Sequence, residues 1–132
     1  MKNIGIIGYG VVGKAVAHTL SREYNIIKYD KYSVLDSFRD LANCDQIFIT
    51  VPTPFDCKKN VVDDSAICES LEKLENISYD NLIIIKSTVP PGFCNNYSKK
   101  YNLQIVFNPE FLRESTTPNE DFANQDIVVI GT

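Results

Sequence analysis

Gly8-Tyr9-Gly10-Val11-Val12-Gly13 fits the pattern G-x-G-x-x-G, and its reading decides the fold. Three glycines in six positions arise often by chance, so the weight lies in what surrounds them. Upstream, Asn3–Ile7 is a short apolar run of strand type; downstream, Val11, Val12, Ala15, Val16, Thr19 and Leu20 share one helical face. Strand, glycine turn and helix then follow in order. In that setting Gly8 permits a tight turn, Gly10 lets backbone approach a pyrophosphate, and Gly13 lets helix and strand pack closely. The first amides of the helix face the anion, and Tyr9, Val11 and Val12 complete the turn. A second strand over residues 26–29 ends at Asp30, 22 residues beyond Gly8, placed to accept hydrogen bonds from the ribose hydroxyls of an adenosine. A carboxylate there repels a 2'-phosphate, so NAD is expected over NADP. The bland alternative makes the glycines packing residues and Asp30 a solvated strand-end charge, and Lys31 beside it argues on the other side of the cofactor choice.

The pattern continues outward. Residues 34–41 carry Val34, Leu35, Phe38 and Leu41 at helical spacing, and residues 46–51 form the third strand. After a loop rich in Pro and Lys, Asp63 and Asp64 are placed to cap a helix from about Ser65 that buries Ile67, Leu71 and Leu74. Residues 82–86 form a fourth strand, Pro90-Pro91-Gly92 a turn, residues 93–100 a short polar helix, and residues 104–107 and 127–130 the last two strands. Six near-continuous Ile and Val strands between helices predict an α/β fold, a doubly wound and mainly parallel Rossmann sheet in a single domain over residues 1–132. The ligand crevice belongs at the strands' carboxyl ends. The connection over residues 108–125 has little apolar periodicity, and long loops in compact domains are often functional.

Composition narrows the classes. With 132 residues, 44% hydrophobic and 23% charged, the chain suits one globular domain. A formal charge of −4 provides no basic stripe for nucleic acid. The longest apolar runs fall far short of the ~20 residues of a membrane span, and no signal-like apolar region follows Met1, so a cytoplasmic protein away from membranes is expected. Cys44, Cys57, Cys68 and Cys94 are scattered without a Cys-x-x-Cys, and the lone His18 is distant, so no metal site or disulfide framework is expected.

Three further segments stand at strand ends: Val51-Pro52-Thr53-Pro54, Lys86-Ser87-Thr88-Val89-Pro90-Pro91-Gly92, and Asn108-Pro109-Glu110-Phe111-Leu112-Arg113-Glu114. With the glycine turn, and with Asp63-x-Ser65 before its helix, they resemble the amino-terminal NAD-binding domain of the UDP-glucose/GDP-mannose dehydrogenase family, its UDP-glucose-oxidising members in particular. The resemblance spans nearly the whole chain. It implies that Val51, Pro52, Thr53 and Pro54 pass beside the cofactor, and that Ser87 and Thr88 contact it near the nicotinamide. It implies that Glu110 is a catalytic glutamate working with a water and Thr88, that Glu110, Phe111, Leu112 and Arg113 touch the sugar nucleotide, and that Glu114 lies near the nicotinamide. Thr88 also reads as a turn-capping hydroxyl, and Glu110 and Glu114 as solvated charges. If their stretch is helical, the two glutamates share a face, where like charges raise one pKa. Leu35, Phe55 and Ser115 depart from the family pattern.

In that family a sugar's primary alcohol is oxidised to the carboxylate, with a cysteine holding a covalent intermediate. That thiol and the central helix belong to a part of the family's length that this sequence does not contain. Cys94, at a predicted helix start where the dipole lowers a thiol pKa, is the only cysteine with a physical argument for reactivity, and it stands in the wrong place. The expectation is the NAD-binding domain of a sugar-nucleotide 6-dehydrogenase, inactive alone. Nucleotide sugar would bind only on completion by a second domain or chain, and the exposed partner surface predicts self-association or such a chain. The alternatives are a stand-alone NAD-binding module without turnover and a different Rossmann oxidoreductase.

Overall fold

The computed structural model describes residues 2–108. Five parallel strands, β1 (Asn3–Ile7), β2 (Asn25–Tyr29), β3 (Gln46–Ile49), β6 (Leu82–Ile85) and β7 (Gln104–Phe107), form one sheet in the order β2-β1-β3-β6-β7. The chain runs from β1 to one side for β2 and then crosses back for β3, so its direction of winding reverses between β1 and β3. That is the switch point at which open α/β sheets leave a crevice. The sixth predicted strand, residues 127–130, lies outside the described residues, as do Glu110, Phe111, Leu112, Arg113 and Glu114.

Alternation of side chains sorts the strands' isoleucines onto two faces. Ile7, Ile47, Ile49, Ile83, Ile85 and Ile105 meet Ile67, Leu71 and Leu74 of α2 (Ser65–Asn76), and Phe93, Cys94 and Tyr101 of α3 (Phe93–Tyr101). On the other face, Ile6 is fully buried against Val16 and Ala17 of α1 (Val11–Leu20), with Ile26 and Phe48 beside them. Each fully buried isoleucine or leucine contributes about 1.5–3 kcal/mol, so this two-sided core is the main reason the strands line up as they do. Small residues set the distance of α1 from the sheet: Gly13, Ala15 and Ala17 are all on its buried side.

Two expectations need correction. Residues 34–41 do not form a helix: Val34 and Leu35 are exposed, and a 3-10 helix covers Phe38–Asn43 instead. Asp36 is the cause. Its N–H donates to the Lys28 carbonyl and its carboxylate accepts from the Lys28 N–H, 2.9 and 2.8 Å, which pins a bent, non-helical segment to the edge strand β2. The helical turn then starts only after Ser37, whose N–H donates to the Asp40 carboxylate at 3.3 Å. The segment rich in Pro and Lys, read as a loop, contains a small antiparallel hairpin, β4 (Phe55–Asp56) with β5 (Val61–Val62). Asp56 Oδ1 accepts from Lys58 and Lys59 N–H, and Asn60 takes φ 54°, the turn chemistry of an aspartate and an asparagine. Among the described residues no helix is long and apolar enough to cross a membrane.

Candidate functional site

Register builds the site. Ile7 is level with Tyr29 and Ile49, Ile49 with Ile85, and Ile85 with Phe107. The next residue of each strand therefore stands in one row along the carboxyl rim: Asp30, Gly8, Thr50, Lys86 and Asn108. Backbone bonds carry the ladder into this row, from Gly8 N to Tyr29 O, Thr50 N to Ile7 O, Lys86 N to Ile49 O and Asn108 N to Ile85 O, all 2.9 Å. Residues far apart in sequence become neighbours there without any contribution from their side chains.

The three glycines of the turn have different reasons to be glycine. Gly8 takes φ +93°, and a Cβ on it would stand 2.8 Å from Val51 N and 2.9 Å from the Thr50 carbonyl carbon. A Cβ on Gly13 would run into the Gly8 carbonyl and stand 2.9 Å from Thr50 Oγ1. At Gly10 a Cβ would meet nothing within 4 Å. Gly8 and Gly13 are thus required by the protein's own packing, whereas Gly10 leaves a bare backbone facing outward. Gly10 is also the N-cap of α1, with no side-chain cap, so the first amides of the helix lack an intrahelical acceptor. Thr50, which the sequence reading passed over, locks the turn by donating its hydroxyl to the Gly8 carbonyl.

Asp30 closes the other side. Its Oδ2 accepts from Tyr9 N–H at 2.8 Å and its Oδ1 from Tyr32 N–H at 2.9 Å. The carboxylate is held against the glycine turn, and each oxygen keeps acceptor capacity for a further donor. The Tyr9 ring turns the other way, onto the α1 side of the core, with Lys28 Nζ 5.3 Å and Lys14 Nζ 5.8 Å from its centroid. Val12 packs on that same side, and Val11 is exposed.

A cavity of about 490 Å³ opens between the glycine turn, the segment after β2 and the first half of α2. Its size suits a cofactor-sized group. Gly8, Gly10, Asp30, Val51 and Pro52 line it, as the sequence reading expects. Thr53, Pro54, Ser87 and Thr88 are not in its lining. Ser87 is buried and donates its hydroxyl to the Val51 carbonyl at 2.6 Å, joining the segments after β3 and β6, while Thr88 is exposed. Lys86 is buried, with Nζ donating to Asn108 Oδ1 at 2.6 Å. Sequence reasoning missed the outer wall: Tyr29, Phe38, Ser65, Glu69, Ser70 and Lys73. Ser65, Glu69 and Lys73 recur at i+4 on α2, a visible stripe, but nothing local says which neighbour it faces.

The thiols are quiet. Cys94 is buried at the start of α3, and burial pushes its pKa up, contrary to the lowering expected of a helix start. Burial, reinforced by Asp45, pushes Cys44 up to about 11. Burial also raises the pKa of Cys68, and Cys57 is exposed. His18 is exposed on α1, and among the described residues no three His, Cys, Asp or Glu side chains gather as a metal site.

Comparison with known proteins gives consistent results. The sequence pattern of the UDP-glucose/GDP-mannose dehydrogenase family, NAD binding domain, matches residues 25–132. The chain is 43% identical over 100 residues to a UDP-glucose 6-dehydrogenase of Rickettsia conorii, a match covering 70% of this chain and 22% of that protein. It is 36% identical over 88 residues to a UDP-glucose 6-dehydrogenase of Campylobacter jejuni, covering 66% of this chain and 22% of that protein. The chain thus spans about a fifth of the length of these curated relatives. In fold it is similar to a UDP-glucose dehydrogenase from Pyrobaculum islandicum, with a TM-score of 0.85 at 22% identity, over 99% of this chain and 40% of that one.

Proposed function

Because the chain belongs to the UDP-glucose/GDP-mannose dehydrogenase family, as its NAD-binding domain, we propose that it serves a sugar-nucleotide 6-dehydrogenase that oxidises UDP-glucose or a close analogue to the uronate. The observation that carries the reading is the pairing of a bare Gly10 with a pre-set Asp30 carboxylate across one cavity. Gly10 and the α1 amides would hold the pyrophosphate, since a helix start offers unpaired N–H groups to an anion. Asp30 would hold the adenosine ribose, its two oxygens oriented in advance by the Tyr9 and Tyr32 amides. NAD, when bound, supplies the hydride acceptor.

The remaining roles follow the family resemblance. Val51 and Pro52 flank the cofactor from the end of β3, with Thr53 and Pro54 continuing the segment. Ser87 fixes the Val51 carbonyl, and the exposed Thr88 next to it would meet the nicotinamide end, as the family resemblance implies. Thr88 and Glu110 would move the proton of the sugar alcohol, with Glu110, Phe111, Leu112 and Arg113 against the sugar nucleotide and Glu114 near the nicotinamide. The substrate side of the site would come from a second domain or chain. Calorimetry of this chain with NAD+ and NADP+ tests the cofactor part: NAD+ is expected to bind and NADP+ to bind more weakly or not at all, and preference for NADP+ would remove the role assigned to Asp30. Reduction of NAD+ with UDP-glucose by a form of the protein that includes the second domain or chain, and its loss in Glu110→Gln, tests the rest.

A further inference from the structure

The residue after Asp30 is a lysine, and an ammonium beside the ribose carboxylate is a ready partner for an added phosphate. In this structure that ammonium is committed elsewhere. Lys31 Nζ lies 3.1 Å from Glu69 Oε2, on α2 at the far wall of the cavity. Lys73, one turn along α2, lies 3.6 Å from Glu69 Oε1 and donates to the Tyr29 hydroxyl at 3.3 Å. Lys31 and Lys73 are the basic side chains of the cavity lining, and Glu69 holds both. The hydrogen bond to Glu69 raises the pKa of Lys31, and that same bond lowers the pKa of Glu69, so both groups are charged at neutral pH.

We propose that Glu69 is a positioning residue for cofactor selectivity: by pairing Lys31 and Lys73 it withholds from a 2'-phosphate the two cations within reach, and leaves Asp30 to act on the ribose alone. The proposal rests on the dinucleotide reading of the cavity given above. A phosphate monoester brings a charge near −2 at neutral pH and needs a cation free to turn toward it. Here the lining's formal charges balance, with Asp30 and Glu69 against Lys31 and Lys73. Neutralising Glu69 leaves the cavity one positive charge richer and removes the counter-ion of both ammonium groups, so that Lys31 is released while Lys73 keeps its hydrogen bond to the Tyr29 hydroxyl. Stability gives little reason for the pair, because side chains 42% to 55% exposed form ion pairs that contribute little to folding.

The test is the ratio of NADP+ to NAD+ affinity, measured by calorimetry on the full chain. In Glu69→Gln the ratio is expected to rise about threefold to tenfold, and the rise to shrink as salt approaches about 0.5 M. Adding Lys31→Met to Glu69→Gln should return the ratio toward its original value. Glu75→Gln makes the same charge change on α2 outside the cavity lining and should leave the ratio where it was. An unchanged ratio in Glu69→Gln, with NAD+ still binding the unaltered chain, overturns the proposal, as does an equal rise in Glu75→Gln, which would reduce the effect to net charge. Failure of the unaltered chain to bind either nucleotide overturns the dinucleotide reading itself.

Discussion

Substituting alanine at Gly10 and, separately, at Gly13 distinguishes a glycine kept for a ligand from one kept for packing. At Gly10 the backbone has φ −90°, which alanine adopts, and the new methyl meets no protein atom within 4 Å. Alanine is a poorer N-cap than glycine by a few tenths to ~1 kcal/mol, but it also restricts the unfolded chain by ~0.4–1 kcal/mol. The two effects offset, so Gly10→Ala should unfold within about 0.5 kcal/mol of the unaltered chain. Its cost should fall on the cofactor, because the methyl occupies the surface the pyrophosphate must approach. Losing close contact with the α1 amides, a charge-assisted set, is worth ~1.5–3 kcal/mol, or roughly one to two decades of NAD+ affinity. At Gly13 the methyl meets the Gly8 carbonyl, which belongs to a turn locked by Thr50 and cannot yield cheaply. Overpacking of about 1–3 kcal/mol or more outweighs the ~1 kcal/mol that alanine adds to a helix interior. Urea unfolding followed by circular dichroism, with NAD+ titration calorimetry, reads both effects. If Gly10→Ala loses stability as Gly13→Ala does, or if it binds NAD+ as tightly as the unaltered chain, the assignment of Gly10 to the ligand is refuted.

The other predictions are simpler to state. Asp30→Asn should weaken NAD+ by about one to two decades and narrow its margin over NADP+, because one amide donor replaces an acceptor oxygen; calorimetry with both nucleotides decides it, and an unchanged margin counts against the ribose role. Ser87→Ala should cost about 1 kcal/mol in urea unfolding, and more if the Val51 carbonyl is left without a donor; no loss of stability would show that this hydroxyl is not a tie between the two segments. A thiol reagent at pH 8 should label Cys57 readily and leave Cys44 and Cys94 until the chain is unfolded. Both are buried, and with Cys44 at about 11 its reactive thiolate is scarce until the pH rises well above that of the assay. Fast labelling of Cys94 in the folded chain would reopen its case as a nucleophile.

The strand-turn-helix of Asn3–Ile7, the glycines and Val11–Leu20 was legible because each part of it depends on neighbours within a few residues: an apolar run, a turn that glycine permits, and a repeat of 3.6. The α2 core face was legible for the same reason, and Ile67, Leu71 and Leu74 are fully buried as their spacing predicts. Residues 34–41 misled because helical spacing was present while two bonds reaching back eight residues, Asp36 on Lys28, fixed the segment against the edge of β2 in a non-helical path. The β4–β5 hairpin escaped because strands of two residues are too short to show an alternation.

By itself, then, the sequence determined the class of fold, the glycine turn, the carboxylate that faces it and the family to which these belong. Those features are written in local spacing and in motifs of a few residues. Only the tertiary structure decided that Gly10 alone among the three glycines is free of the protein's own packing, that Asp30 is aimed by two backbone amides, and that α2 closes the cavity with Glu69 between two lysines. These depend on which strands lie side by side and in what register, and on α2 bringing Glu69 to Lys31, 38 residues earlier in the chain, in the segment after β2. Such distances are set when the two faces of the sheet are buried together, a property of the whole assembly of strands and helices that no short window of residues contains.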